Sequence, residues 1–135
     1  MATKIFVNLP VKDLNKSKIF FEGLGFSFNP QFSDDKAACM IIGDFMFAMF
    51  LTEPYFKTFT KKEVCDANKS TEVLIALDAS SRQEVEKMVT KAKELGATIY
   101  AEPADHGWMY QHSFADLDGH QWELAYMDES QMPGY

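Results

Sequence analysis

Three side chains of this sequence have residue types and positions that suit chemistry. Glu123 stands between Trp122 and Leu124 in a strand-like run, Glu72 begins another such run, and His112 lies in a third. A carboxylate among apolar neighbours is costly unless something holds it, so it suggests a metal ligand, a general base or a hydrogen-bonded group. We predict that Glu123 and His112 are the catalytic candidates, and that Glu72 can join them as a metal ligand.

The composition excludes several classes of function. The 135 residues are 47% hydrophobic, which suits one compact domain with its own core. The net charge is −7 and Arg82 is the only arginine, so we expect no binding to nucleic acid. No apolar run approaches the roughly 20 residues of a membrane span, and we expect no signal peptide and no membrane contact. Cys39 and Cys65 show no metal spacing, which favours reduced thiols in a cytoplasmic protein.

The hydrophobic pattern repeats along the chain. Residues 1–53 read as strand, helix and three strands, and residues 71–128 read in the same order. Residues 54–70 are mixed aromatic and polar and are predicted to be a linker that can hold one short helix. Residues 129–135 form a polar tail. The chain is therefore predicted to be a single α+β domain, 1–135, made of tandem βαβββ modules.

Two stretches of the sequence carry a family resemblance. LPVKDLNKSKIFFEGLGF, residues 9–26, and FADLDGHQWELAYMD, residues 114–128, resemble the opening and closing signatures of the vicinal oxygen chelate superfamily. This family includes glyoxalase I, bleomycin-resistance proteins, fosfomycin-resistance enzymes and extradiol dioxygenases. The resemblance implies that the modules form an open, cup-shaped mixed sheet. It also implies a homodimer, and metal-facing positions in the first and fourth strand of each module.

By this resemblance the four metal-facing positions fall on Phe6, Phe50, Glu72 and Glu123. Metal-binding relatives have His, Glu or Gln there, whereas phenylalanine has no lone pair to donate. Two carboxylates without an imidazole suit Zn²⁺, Ni²⁺ or Fe²⁺ poorly, although Mg²⁺ or Mn²⁺ accept oxygen ligands and water. The cofactor is therefore unknown: we expect none, and keep a divalent metal as the alternative.

The position of His112 depends on the last hairpin. If Asp118 and Gly119 form a two-residue turn, Phe114 pairs with Glu123 and His112 shares the face of Glu123. A longer turn shifts the pairing by one residue and points His112 away. The sequence alone does not fix this register.

Apolar side chains are expected to line the cup. The residues predicted for this lining are Phe6, Met46, Phe50 and Phe114, with Trp108 at the rim. Such a surface, with a few carboxylates in it, is typical of small-molecule sites. The alternative is that these aromatic side chains simply fill a core.

These features leave open whether the protein is an enzyme. The first hypothesis is a glyoxalase/bleomycin-resistance-like protein that binds a small apolar or aromatic molecule without a complete catalytic metal site. The alternative is a metal-dependent lyase of the lactoylglutathione lyase type, or an extradiol-dioxygenase-like oxidoreductase, that uses Glu72, His112 and Glu123. A third hypothesis is a dimer-forming or regulatory module whose cup is filled. The identity of the ligand is not encoded in these patterns.

Overall fold

The computed structural model of the protein describes residues 1–133. It divides into two compact units, Met1–Cys65 and Asp66–Tyr135. Each unit has the order βαβββ and contains one four-stranded mixed sheet. The prediction of tandem βαβββ modules in an α+β fold is therefore confirmed. In the described residues, no helix is long and apolar enough to cross a membrane.

The first unit contains one sheet with the strand order β1-β4-β3-β2, in which β1 runs parallel to β4. Asp13 caps the long helix of this unit, because its side chain accepts a hydrogen bond from the Lys16 backbone N–H. The segment predicted to be a linker starts with a short helix and a 3-10 turn over Lys57–Phe59. The elements are β1 (Ile5–Val11), α1 (Leu14–Gly23), β2 (Ser27–Asn29), β3 (Ala37–Gly43), β4 (Met46–Thr52) and α2 (Glu53–Phe56).

Alternation along β1 and β4 gives this sheet two different faces. Leu9 pairs with Phe50, and the ring of Phe21 on α1 stacks on Phe50 with centroids 4.9 Å apart. That face is the helix face, and Phe50 is fully buried in it. The opposite face carries Phe6 and Phe47, which are neighbours across the same two strands.

The second unit repeats this arrangement with the strand order β5-β8-β7-β6, and β5 runs parallel to β8. Ser81 caps its helix by accepting from the Glu84 backbone N–H. The apolar positions Val85, Val89 and Ala92 are buried along one helix stripe. The elements are β5 (Leu74–Asp78), α3 (Arg82–Glu94), β6 (Ala104–Asp105), β7 (Met109–Ala115) and β8 (Gln121–Met127).

The core of the second unit lies between its sheet and α3. The Tyr110 hydroxyl donates to Glu86 on α3, with 2.9 Å between the oxygens, so Tyr110 marks the helix face of β7. Phe114 is on that face too and pairs with Trp122 of β8. Phe114 is 2% and Trp122 1% exposed, which makes them the large side chains of this core.

Candidate ligand-binding site

Glu123 lies on the face of the second sheet that points away from α3. It pairs with Ser113 across β7 and β8, and Gln111 is two residues further along the same face. The Gln111 side-chain amide donates to Glu123 Oε2 at 2.7 Å. The carboxylate in the middle of β8 is therefore held by a hydrogen bond and stays half-buried. We call Gln111, Ser113, Gln121 and Glu123 the polar face.

The last hairpin has a longer turn than the two residues considered from sequence. Ala115 pairs with Gln121, and the five residues between them form the turn. Asp116 organises it: its Oδ1 accepts from the backbone N–H groups of Asp118 and His120, both at 3.0 Å. Its Oδ2 accepts from the Trp122 indole N–H at 2.9 Å. Burial raises the pKa of the Asp116 carboxyl, although the nearby His120 and these hydrogen bonds act in the opposite direction.

Of the two alternatives considered from the sequence, the longer turn is the one found, and because it shifts the pairing by one residue His112 does not share the face of Glu123. His112 pairs with Leu124 and lies on the helix face. Its Nε2 is 3.1 Å from the Ala101 carbonyl oxygen. Because of the same shift, Phe114 does not face Glu123 but is buried against α3. The structure therefore does not bring His112 and Glu123 into one site.

In the first unit, the face opposite α1 carries an aromatic pair, Phe6 and Phe47. Their rings are stacked, with centroids 4.9 Å apart and planes 13° from parallel. Phe6 remains 48% exposed, so this pair presents an accessible aromatic surface. The side chains of Asn8 and Met49, which are paired across the same strands, lie next to it.

Two other predicted pocket residues lie on the helix side of the first sheet. Phe50 was expected to face the ligand, and this is wrong, because it packs against Phe21 of α1. Met46 pairs with Ile5 on the same side as Phe50, at the exposed start of β4. Trp108 precedes β7 in the second unit, and its carbonyl oxygen accepts from the Asp128 backbone N–H at 2.6 Å.

Glu72 lies just before β5, in an exposed position. Alternation back from Ala76, the β5 partner of Glu123, would put Glu72 on the side of the polar face. It is nevertheless outside the paired part of the strand. Glu72 and Glu123 are therefore separated along the sheet.

Comparison with known proteins gives this geometry a context. Residues 3–43 match the family described as bleomycin resistance protein-like N-terminal. A hypothetical protein from S. aureus has a similar structure, with 30% sequence identity and a TM-score of 0.80 over 93% of this chain and 95% of that one. The chain belongs to the vicinal oxygen chelate superfamily.

Two further solved structures share the fold of this superfamily at lower identity. A glyoxalase/bleomycin resistance protein/dioxygenase family enzyme from Burkholderia phytofirmans is 16% identical, with a TM-score of 0.75 over 90% of this chain and 96% of that one. The fosfomycin resistance protein FosX from Listeria monocytogenes is 22% identical, with a TM-score of 0.69 over 100% and 96%. No match was found among curated proteins.

The superfamily implies a metal in its catalytic members, and the side chains present here fit one poorly. Across residues 1–133, no group of three or more His, Cys, Asp or Glu side chains is placed to hold a metal ion. Phe6 occupies one expected ligand position, and Glu123 is engaged by Gln111.

Two residues on the sheet faces that point away from the helices were not identified from the sequence. Phe47 stacks on Phe6, and Gln111 binds Glu123. Phe47 can be placed beside Phe6 only if it is known that β1 pairs in parallel with β4. The sequence carried no clear signal for Gln111, because Gln111 reaches the face of Glu123 only through the five-residue turn that Asp116 closes.

Proposed function

We propose that this protein binds a small, flat aromatic molecule, as a glyoxalase/bleomycin-resistance-like protein without a complete catalytic metal site. The observation that supports this most directly is the aromatic pair. Two stacked, accessible rings on a sheet face offer a rigid platform on which a third ring can stack. Asn8 and Met49 beside the pair add a polar group and a polarisable thioether.

The charge of the protein narrows the ligand class. The net charge of −7 disfavours anionic ligands at long range, so a neutral or cationic aromatic molecule is expected. Phenylalanine rings also attract cations through their faces, which adds to this preference.

The proposal is tested by titrating the protein with 2-naphthol and with its saturated counterpart, decahydro-2-naphthol, and following the backbone amides by NMR. We expect 2-naphthol to shift the amides around Phe6 and Phe47 and the saturated compound to bind more weakly. Replacing Phe6 with alanine should weaken 2-naphthol binding about five- to tenfold, since an aromatic contact contributes about 1 kcal/mol beyond its area.

Phe32→Ala is the matched control, because Phe32 is another exposed phenylalanine of the first unit, 61% accessible in a 3-10 turn. It should leave the affinity unchanged. The proposal would be contradicted if Phe6→Ala and Phe32→Ala lost the same affinity for 2-naphthol. It would also be contradicted if the saturated compound bound as tightly as 2-naphthol, because binding would then be hydrophobic without a preference for aromatic rings.

Elemental analysis distinguishes the binding proposal from the metal-dependent alternative, a lyase or dioxygenase that uses Glu123. The wild-type protein and Glu123→Gln would be saturated with Mn²⁺ and then desalted. About one metal per chain that is lost in the variant would replace the binding proposal with the enzymatic one. Because Glu123 already accepts a hydrogen bond from Gln111, we expect little retained metal in either protein.

We also propose a homodimer. At one end of the first sheet, Ile5 is 57% and Met46 46% exposed, and these apolar side chains would be covered by a second copy. Sedimentation velocity should show a dimer that Met46→Glu weakens. Ile19→Glu is the control, since Ile19 is another apolar residue of the first unit, 66% exposed on α1. A monomer at all concentrations would contradict the proposal.

We further propose that the protein works in the reducing cytoplasm. Among the described residues 1–133 there is no disulfide bond, and Cys39 is buried whereas Cys65 is exposed. Burial raises the pKa of the Cys39 thiol, which keeps it in its less reactive form. Cell fractionation with an antibody to the protein tests this, and recovery outside the cytoplasm would refute it.

A further inference from the structure

The second unit contains a pocket of about 250 Å³ near the β7–β8 turn. Its wall is formed by residues 67–71, which precede β5, together with side chains from the sheet and the turn. We call it the turn pocket. Its lining includes Lys69, Thr71, Thr98, Tyr100, Gly119 and Gln121.

The pocket is shaped by a close backbone approach. Gly119 has φ +91°, and a Cβ at this position would lie 2.8 Å from the Asn68 backbone nitrogen. Glycine is therefore required both for the turn and for the contact with residues 67–71. On the far side, Thr98 and Ala115 exchange two backbone hydrogen bonds of 3.0 and 2.8 Å. Both walls are therefore held by backbone contacts.

The side chains around the pocket are rich in hydrogen-bond donors. The Thr71 hydroxyl donates to Gln121 Oε1 at 2.6 Å, which orients the amide so that its NH₂ group is the remaining polar end. Thr98 adds a hydroxyl and Tyr100 a phenol. Among the described lining residues none is acidic and Lys69 is the one cation, although the chain has 20 acidic and 13 basic residues. The lining residues thus carry a single positive charge, whereas the chain as a whole is acidic.

We propose that the turn pocket binds a small organic acid through its carboxylate. Lys69 supplies a charge-assisted hydrogen bond, and the neighbouring hydroxyl and amide groups satisfy the remaining oxygen lone pairs. The volume is below the range of roughly 300–1,000 Å³ of pockets for drug-sized ligands, which limits the ligand to a few carbon atoms. This site lies in the other unit from the aromatic pair and takes a different ligand, so it stands independently of the function proposed above.

The test uses succinate as the probe, with uncharged succinamide and inorganic phosphate alongside, and follows the backbone amides of the full chain by NMR. Succinate should shift the amides of Lys69, Thr71, Thr98 and Gln121 at millimolar concentration, and succinamide should not. Lys69→Gln should weaken succinate binding at least tenfold, because a charge-assisted contact is lost. Thr98→Val, which keeps the side-chain shape, should weaken it about threefold to tenfold.

Lys87→Gln is the matched control, since Lys87 is an exposed lysine on α3 outside the pocket. It should bind succinate as the wild type does. The proposal is overturned if succinate causes no shift, if succinamide binds equally, or if both lysine variants weaken binding to the same extent. Tighter binding of phosphate than of succinate would also overturn it, because the site would then serve an inorganic anion.

Discussion

At the scale of single residues, Glu123 and Asp116 show how carboxylates are kept among apolar side chains. Glu123 was identified from sequence alone, and its facing away from the helix follows from simple alternation. Its partner Gln111 was not, because the partner depends on a turn whose length is set by Asp116. Nothing in a DG dipeptide distinguishes a two-residue turn from one in which an earlier aspartate captures two backbone N–H groups.

The first residue-scale prediction concerns Asp116. Asp116→Asn puts an NH₂ group where acceptor oxygens now meet three N–H donors, and at least one donor is left unpaired. We expect a loss of about 2 kcal/mol in the free energy of unfolding, measured by urea denaturation. Asp44→Asn, at an exposed position, should cost under about 0.5 kcal/mol. Equal stability of the two variants would contradict this role of Asp116.

A second prediction concerns Asp105, whose carboxylate is bound by both terminal nitrogens of Arg82 at 2.7 and 3.0 Å. The hydrogen bond from Arg82 lowers the pKa of Asp105 to about 2, from its usual 3.8. A lowered folded-state pKa stabilises the protein above pH 3.8, and this stabilisation is lost as the pH falls towards 2.

Urea midpoints should therefore differ between wild type and Asp105→Asn at about pH 5, and this difference should shrink by about pH 2. Asp35→Asn, an exposed acidic residue of the first unit, should show no such change. If the difference between wild type and Asp105→Asn stays constant with pH, the ion pair does not act through its charge.

At the scale of elements, the alternation of apolar and polar residues predicted the strands well. It predicted which face of a strand is buried only where one face is clearly more apolar than the other. In β1 the proline and asparagine break the apolar run, and Phe6 was placed correctly on the face away from the helix. In β4 the run MFAMFLT is apolar on both sides, so either face could be the buried one. Only the stacking of Phe21 on Phe50 decides it, and that contact joins distant parts of the sequence.

The assignment of the buried and exposed faces of the first sheet can be tested by truncating two phenylalanines in neighbouring strands. Phe50→Ala should lower the free energy of unfolding by about 3–5 kcal/mol, because it empties a fully buried site. Phe6→Ala should lower it by about 1 kcal/mol or less, since Phe6 is half exposed. Chemical denaturation of both variants checks the order. The reverse order would mean that the two faces of β4 are assigned wrongly.

A matched pair of glycines tests the β7–β8 turn. Gly119 and Gly107 both have positive φ, +91° and +83°, but a Cβ at Gly107 meets nothing within 4 Å. Gly107→Ala should cost about 1 kcal/mol for the backbone strain alone. Gly119→Ala should cost roughly 1–3 kcal/mol more, because it also collides with the Asn68 backbone. Thermal denaturation of the two variants measures the gap, and equal losses would exclude the close approach.

At the scale of the whole molecule, the repeat and the α+β class were predictable because they rest on periodicity and on two long signatures. The chemistry of the exposed sheet faces was not. The first unit presents stacked phenylalanines, whereas the second presents Gln111, Ser113 and Glu123 at the corresponding side of its sheet. The two units thus share one topology and differ in what they can recognise.

The charge of the molecule leads to a prediction about partners. With a net charge of −7 and one arginine, the protein should not bind duplex DNA even at low salt, because few phosphates can be neutralised. Fluorescence anisotropy of a labelled duplex tests this, with a basic DNA-binding domain as the positive control. Saturable binding that weakens with added salt would contradict the prediction.

The strand order has a consequence for how the chain is made. In each unit the strand translated last, β4 or β8, lies inside the sheet between the first strand and the third. Until that strand leaves the ribosome, the first strand has no neighbour to pair with and its backbone groups stay solvated. Folding should therefore proceed in two abrupt steps, one when Thr52 and one when Met127 becomes free of the ribosome. A ribosome stalled between these points would carry one finished unit and one unpaired strand.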